Sequence, residues 1–555
     1  MLFKQRRIDT SLAPRLRIVD PGEATPDADV SPRTYGLLVA GAVALGFLLR
    51  ASFIFAADFP IGDGGLFYQM VRDLEHAGYA LPTTTTYNGD GIPYAYPPLM
   101  LYAAAFVDRL TPLGLLDVLR ILPLIGSTLA VVAFALLARD MLASRTAAAF
   151  AAFCFAMLPR GLVWTLMGGG LTRGFGLAFA IATIHAAYLL YTRGQRRYAA
   201  LAAVFGALVL ATHIEMAWFA VFSCALLLAA YGRDRASVIA SMLVCAGVAA
   251  LTSPWWLTVV ARDGFQPFVS AANARDASQS NPLVLFIQFR FTSEILFPAS
   301  AALGLLGAIA CIAARRFVLP SWIVAAALLD TRAFGTVAAA PLALLAGIAF
   351  ADVILPLVAR PQLRLGSLPG AASTRRIASG AAMPIAVTAV LACYMLLLAL
   401  VSTPRPLSAM SVDERAAMQW ATDNTPPGSR FAVVSGDQWA LDRTSEWLPA
   451  LTGRVSSVTP QGYEWAGGSA FSHRLSAYRE LQQCAGRDEA CLTGWSLWQE
   501  VGYDYVYIPK LAPRSAIAVD NERECCAALR MSLRADPAYE AVYDGPGATI
   551  FRHRT

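Results

Sequence analysis

Long apolar stretches separated by short polar ones run through most of this chain, and their lengths are those of membrane-crossing helices. Such a helix needs roughly 20 apolar residues, a few less when it is kinked. Residues 35–57 are the first stretch to qualify and residues 384–402 the last. Between them the pattern predicts spans near 119–138, 146–163, 173–192, 198–212, 214–231, 236–259, 299–314, 318–330 and 336–358, about 11 in all. A different rhythm follows the first span. Leu66, Met70 and Leu74 recur at helical spacing, so the residues after Asp63 form an amphipathic helix. Residues 97–118 are apolar again but short, and read as a re-entrant or surface-lying part of the same loop.

After residue 402 the rhythm is that of a soluble domain. Ser411-Val-Asp-Glu414 is a capping-box signature for a helix that ends by Asn424-Thr-Pro-Pro-Gly428. Residues 431–434 and 503–508 read as strands, and Asp544-Gly-Pro-Gly547 as a turn between two more. The expected fold class is a polytopic α-helical membrane protein with a C-terminal soluble α/β domain. Residues 1–34 form an N-terminal segment, 35–402 the membrane module with its first outer loop at 58–118, and 403–555 the soluble domain.

Composition agrees with this division. Of 555 residues 57% are hydrophobic and 15% charged, against about 25% charged in soluble domains. A net charge of +6 is small for this length and carries no nucleic-acid signal. The basic residues instead report orientation, because cytoplasmic loops collect Lys and Arg. That rule places Arg139/Arg145, Arg193/Arg196/Arg197, Arg233/Arg235, Arg315/Arg316 and residues 360–376 inside, together with the N-terminal Lys4, Arg6, Arg7, Arg15, Arg17 and Arg33. No apolar core of a cleavable signal peptide precedes residue 35. A fully crossing 97–110 would put every later basic cluster on the wrong side; the alternative is that it does cross and one short loop departs from a rule that is a bias and not a law. The expected location is the plasma (inner) membrane, multi-pass, with a cytoplasmic N-terminus and an exoplasmic tail.

Unusual polar residues gather on the outer face. Asp58, Asp63 and Asp90 lie in the first loop, and carboxylates at the mouth of a bundle are expensive unless they act. Asp63 has a plain alternative, as the N-cap of the amphipathic helix. Residues 168–174, GGGLTRG, lack the Lys-Ser/Thr of a phosphate loop and follow no strand. Their glycines allow close backbone approach, and Arg173 adds a fixed cation; helix packing alone explains the glycines but not the arginine. His213 and Glu215 stand where two spans meet, and a histidine there is often only a packing residue. Arg50, Arg173 and Arg332 together would suit a phosphate or pyrophosphate. Cys484, Cys491, Cys525 and Cys526, an even number in the tail, are disulfide candidates on a face where disulfides persist. Cross-pairing of the two groups or a single Cys484–Cys491 loop are the options, since a bond between the neighbours Cys525 and Cys526 is strained. Cys154, Cys224, Cys245, Cys311 and Cys393 lie within spans.

An aspartate loop directly after the first span, an amphipathic helix and then Tyr96-Pro-Pro-Leu99 resemble the GT-C superfamily of membrane glycosyltransferases that use polyprenyl-phosphate-linked sugars. The tail phrases Glu446-Trp-Leu-Pro-Ala-Leu-Thr-Gly-Arg454 and Gln461-Gly-Tyr-Glu-Trp465 resemble bacterial-type members. Many members have Asp-Glu where this chain has Asp63-Gly64, which leaves Asp58 as a competitor for the acidic role. What the resemblance implies is inverting transfer of a hexosyl or pentosyl group from the lipid phosphate to an exoplasmic glycan, lipid or protein. In that scheme Asp63, or Asp58, is the base, and Arg50, Arg173 and Arg332 hold the departing phosphate. Tyr68, Tyr96, His213 and Glu215 would contact substrate. The partners implied are the lipid-linked donor, membrane lipids and the acceptor. Metal use stays open: Asp58, Asp63 and Asp90 are hard ligands that suit a divalent cation, and the scheme works with or without one. Two other readings remain: a transporter or flippase of lipid-linked sugars, which predicts inverted repeats that the sequence lacks, and a non-catalytic envelope assembly protein, which leaves the loop carboxylates unexplained.

Overall fold

The computed structural model describes residues 29–274, 282–288, 291–358, 382–402, 409–510 and 525–554. Helix α1 (Pro32–Phe55) starts where Ser31 accepts a hydrogen bond from Thr34 N at 3.1 Å and Pro32 supplies a first position that needs no donor. Its 24 residues extend about 36 Å, enough to cross a bilayer. Helix α2 (Gly65–His76) buries Leu66, Met70 and Leu74 on one face, with Phe67 and Val71 beside them. Helix α3 (Leu99–Leu110) has 12 residues and buries Met100, Leu101, Ala104 and Ala105. Next come α4 (Leu115–Met141), α5 (Arg145–Met157) and α6 (Pro159–Leu166). The last two form an apolar pair bent by 51°. Pro159 causes the bend, because it has no N–H to continue the ladder. Then follow α7 (Gly170–Arg193), α8 (Arg196–Leu210), α9 (Ile214–Tyr231), α10 (Arg235–Asp263), α11 (Gln266–Asn273), α12 (Pro282–Ile287), α13 (Ala299–Ala313), α14 (Val318–Leu329), α15 (Phe334–Val358) and α16 (Ala382–Ser402).

Seven of these, α1, α4, α7, α9, α10, α15 and α16, are long and apolar enough to cross a membrane, or eight with the bent pair, among the described residues. The sequence reading of about 11 differs by α8, α13 and α14, apolar helices of 15, 15 and 12 residues. The chain is a mostly helical, multi-pass membrane protein. The basic segment 360–376 lies outside the described residues.

Beyond α16 the chain builds a five-stranded sheet from β1 (Arg430–Val433), β2 (Val455–Ser456), β3 (Tyr505–Pro509), β4 (Tyr539–Asp544) and β5 (Ala548–His553), in the order β2-β1-β3-β5-β4. The β1 strand pairs parallel with β2 and β3, whereas β5 pairs antiparallel with β3 and β4. Strand alternation then assigns the faces. Phe431, Val433, Tyr505, Tyr507 and Ile550 point into a core that also contains Phe59, Leu66, Met70, Tyr87, Tyr94 and Trp447. Ala432, Val506, Ile508 and Phe551 point the other way, onto Leu481, Leu492, Trp495 and Leu529. One sheet face is therefore shared with the first loop of the membrane module.

Two tail helices make that junction. Helix α17 (Val412–Asn424) opens on a full capping box between Ser411 and Glu414. Helix α18 (Arg443–Thr452) packs on α2. Asp58 meets Arg415 at 2.5 Å, Asp90 meets Arg474 at 3.0 Å, and Trp447 Nε1 donates to Gly62 O at 3.0 Å. The tail cysteines pair locally. Cys484 is joined to Cys491 across a separation of seven residues, and Cys525 to its neighbour Cys526. Cross-pairing is not what the structure shows, and the expectation that adjacent cysteines stay apart is corrected. Cys526 adopts a left-handed backbone conformation, φ +61°, next to Cys525.

Candidate functional site

Asp63 sits in a turn whose neighbours Gly62 and Gly64 have φ of +61° and +136°, conformations that L side chains rarely adopt. The turn needs its glycines for room as well. A Cβ on Gly168, in the facing segment, would lie 2.1 Å from Asp63 O, and Gly168 N already donates to Ile61 O at 2.8 Å. The glycines of 168–170 thus bring the start of α7 against the Asp63 turn. The sequence reading had these glycines admit a ligand; the close backbone approach that the structure shows is to the Asp63 turn.

That approach decides where the carboxylate points. Asp63 Oδ1 accepts from Gly169 N at 2.8 Å, and Oδ2 pairs with Arg173 Nη2 at 2.9 Å. Asp63 does not cap α2, whose N-cap is Gly64 with no side-chain bond. It binds instead the amide end of α7, where positive backbone charge favours an anion. Arg173 lies over the Trp164 ring at 5.3 Å. Its Nη1 is buried and has no hydrogen-bond partner among the described residues. A guanidinium with one arm spent and one arm open is poised for an oxyanion.

The tail supplies the next layer. Glu446 Oε1 accepts from Gly64 N at 2.9 Å and from Leu66 N at 3.5 Å. Burial pushes its carboxyl up to about 8, and the charge of Asp63 adds to the effect. Tyr68, one turn into α2, stacks at a tilt on Trp447 with ring centres 5.9 Å apart.

Across the hollow, Tyr96 Oη shares a hydrogen bond with Thr172 Oγ1 at 2.9 Å. His213 caps α9, its Nδ1 3.4 Å from Met216 N. Burial, then the positive charges of Arg173 and Arg332, hold this histidine well below its ordinary value, so it is neutral. Glu215 pairs with Arg332 Nε at 3.4 Å. Asp330 Oδ1 accepts from Ala333 N at 3.0 Å, and its Oδ2 is buried with no hydrogen-bond partner among the described residues. Glu464 is raised by burial and pulled back by Arg332 and Arg173. Both arginines bear on the same three groups, Tyr96, His213 and Glu464. Leu66, Met70, Ile92, Tyr96 and Trp465 line a small apolar hollow on this side.

Other sequence candidates lie elsewhere. Arg50 is buried among helices, donating to Ser127 Oγ at 2.8 Å, Gly46 O at 2.9 Å and Ala156 O at 2.8 Å. The α5–α6 break explains it: Arg160 N bonds Thr292 O, which leaves Ala156 O for the guanidinium. The Arg50 guanidinium is thus engaged with protein groups on both its Nε and its Nη1. Asp58 lies at the rim, two-thirds exposed at 66% and held by Arg415. Asp58, Asp63 and Asp90 pair with three different arginines, and no group of three metal-ligating side chains forms among the described residues. The sequence reading did not select Glu446, Asp330 or Glu464 as site residues. The phrases around Glu446 and Glu464 were its signal; Asp330 had none.

No family model and no curated protein matches the chain. Solved structures do. The archaeal oligosaccharyltransferase AglB from Archaeoglobus fulgidus, in complex with an inhibitory peptide and a dolichol-phosphate, superposes with a TM-score of 0.52 at 16% identity, over 86% of this chain and 69% of its own. ArnT from Cupriavidus metallidurans, solved bound to undecaprenyl phosphate, gives 0.50 at 13% identity, over 94% of this chain and 98% of its own. The mycobacterial arabinofuranosyltransferase AftD gives 0.53 at 17%, over 95% of this chain and 40% of its own. These are GT-C superfamily membrane glycosyltransferases, and this chain has their fold.

Proposed function

We propose that the protein transfers a sugar from a polyprenyl-phosphate-linked donor to an acceptor hydroxyl or amide at the outer membrane face, by an inverting mechanism. The observation that carries this reading is the pairing of Asp63 with Arg173, whose buried Nη1 has no hydrogen-bond partner among the described residues. A base and an oxyanion clamp in contact are the two parts that such a displacement needs. The shared fold supports the general kind of reaction.

Asp63 takes the proton of the acceptor nucleophile as that atom forms its bond to the anomeric carbon. The bond from that carbon to the phosphate oxygen breaks on the opposite face, and the lipid phosphate leaves with its electron pair. Arg173 receives the developing charge, with Arg332 as the second cation of the cleft. Phosphate arrival draws Arg173 from Asp63, and a carboxylate released from its ion pair is a stronger base. Tyr96, Glu215 and neutral His213 remain as contacts for sugar hydroxyls, and the Tyr68–Trp447 wall as an apolar side. In this reading α8, α13 and α14 cross with the longer helices, the tail is exoplasmic, and the donor enters from the outer leaflet.

The full chain in proteoliposomes, supplied with polyprenyl-phosphate hexoses and pentoses of known anomeric form, tests the mechanism. The expected product has the opposite anomeric configuration to the donor, read by nuclear magnetic resonance. Retained configuration would mean a covalent sugar intermediate and contradict a single displacement.

A further inference from the structure

We propose that Glu446 is a positioning residue of this site: reaching from the tail, it holds the backbone beside Asp63 and governs how much negative charge an arriving phosphate meets. The inference rests on the roles given above to Asp63 and Arg173.

Geometry makes the first half of the case. Glu446 is in the first turn of α18 and 3% exposed. Its Oε1 takes the Gly64 and Leu66 amides, at 2.9 and 3.5 Å, and its Oε2 accepts from Gln461 Nε2 at 3.4 Å. Its main-chain oxygen accepts from Tyr87 Oη at 2.8 Å. Gly64 adjoins Asp63, so the Glu446 carboxyl bears on the turn that aims the base. A Cβ on Gly65 would lie 2.5 Å from Glu446 O, so the two segments touch backbone to backbone.

Charge makes the second half. The ionisable groups around this carboxyl are Asp63, Arg173 and Tyr87, all from the membrane module, and Tyr87 is in turn faced by Glu464 and Arg474 of the tail. Arg443 and Glu414 near the start of α18 pair with each other at 3.5 Å. With a proton on Glu446, Asp63 and Arg173 compensate one another and the cleft accepts an anion. Without it, a second carboxylate stands beside Asp63. Burial and Asp63 place that proton's loss at about 8. An anionic ligand favours the protonated form, so affinity is kept below this value and falls as pH rises through it.

The probe is undecaprenyl phosphate, titrated into the full chain in nanodiscs at pH 7 and pH 9. The native protein should weaken on the order of tenfold between the two, the effect of one added charge near the ligand. Glu446→Gln, which keeps an acceptor for Gly64 N but cannot ionise, should change less than about twofold, and Glu446→Asp should restore the alkaline loss. The ligand's own titration is common to all three and cancels. Equal alkaline losses in native protein and Glu446→Gln would overturn the role of Glu446 alone. Binding that Arg173→Ala leaves intact would overturn the phosphate site and this inference with it.

Discussion

Asp63→Asn should lower sugar transfer by about 10²–10⁴-fold, the usual contribution of a positioned general base. Its fold should survive, for a physical reason visible in the turn. Asparagine keeps an oxygen for Gly169 N, which Asp63 Oδ1 now meets at 2.8 Å, and loses only the charge opposite Arg173. The loss should fall on kcat, because Arg173 without its counterion binds a lipid phosphate at least as well. Initial rates across donor concentration check this, with tryptophan fluorescence as a control for the Trp447 contact to Gly62. Asp58→Asn breaks only an exposed pair with Arg415, a loss on the order of 1 kcal/mol or less, and should leave transfer near native. Native turnover in Asp63→Asn would remove Asp63 from the mechanism, and a loss confined to Asp58→Asn would move the base there.

The second large effect is expected at Arg173. Removing one preorganised donor to a developing oxyanion costs about 10²–10³-fold, so Arg173→Ala should lose at least that much in kcat/KM for the donor. Arg173→Lys should fall between the two. A lysine brings one ammonium where the guanidinium brings one arm to Asp63 and keeps a second, buried arm without a partner among the described residues. Arg332 is half exposed at 45% and already engaged with Glu215, so Arg332→Lys should weaken donor use less. The same donor dependence in Arg173→Lys and Arg332→Lys as in the native protein would show that neither touches the phosphate.

Local patterns were readable from the residues alone. The spacing of Leu66, Met70 and Leu74 is the buried face of α2, and the Ser411–Glu414 capping box forms as the residue types require. Partners were not readable. Asp63 and the glycine it binds are separated by 106 residues, and Gly64 and Glu446 by 382. Packing makes these contacts, and no local propensity records them. The partners of Arg50 were hidden for the same reason; a charged residue inside an apolar span usually signals function, and its contacts lie 77 and 106 residues along the chain. Here it serves the backbone, filling the carbonyl freed by the Pro159 break. Cys525 and Cys526 were not expected to bond to each other, whereas they do, and Cys484 pairs with Cys491 as one of the two options had it. Glu446 sat inside a tail phrase picked out for its resemblance, but only the fold shows that it reaches the first loop.

Electron cryo-microscopy of the full chain in nanodiscs with undecaprenyl phosphate tests the central claim most directly. The phosphate should lie within hydrogen-bonding distance of Arg173 Nη1, between the Asp63 turn and α18, with the isoprenoid chain leaving toward lipid. A phosphate bound at the bilayer midplane or on the opposite face of the bundle, with Arg173 still closed on Asp63, would contradict it.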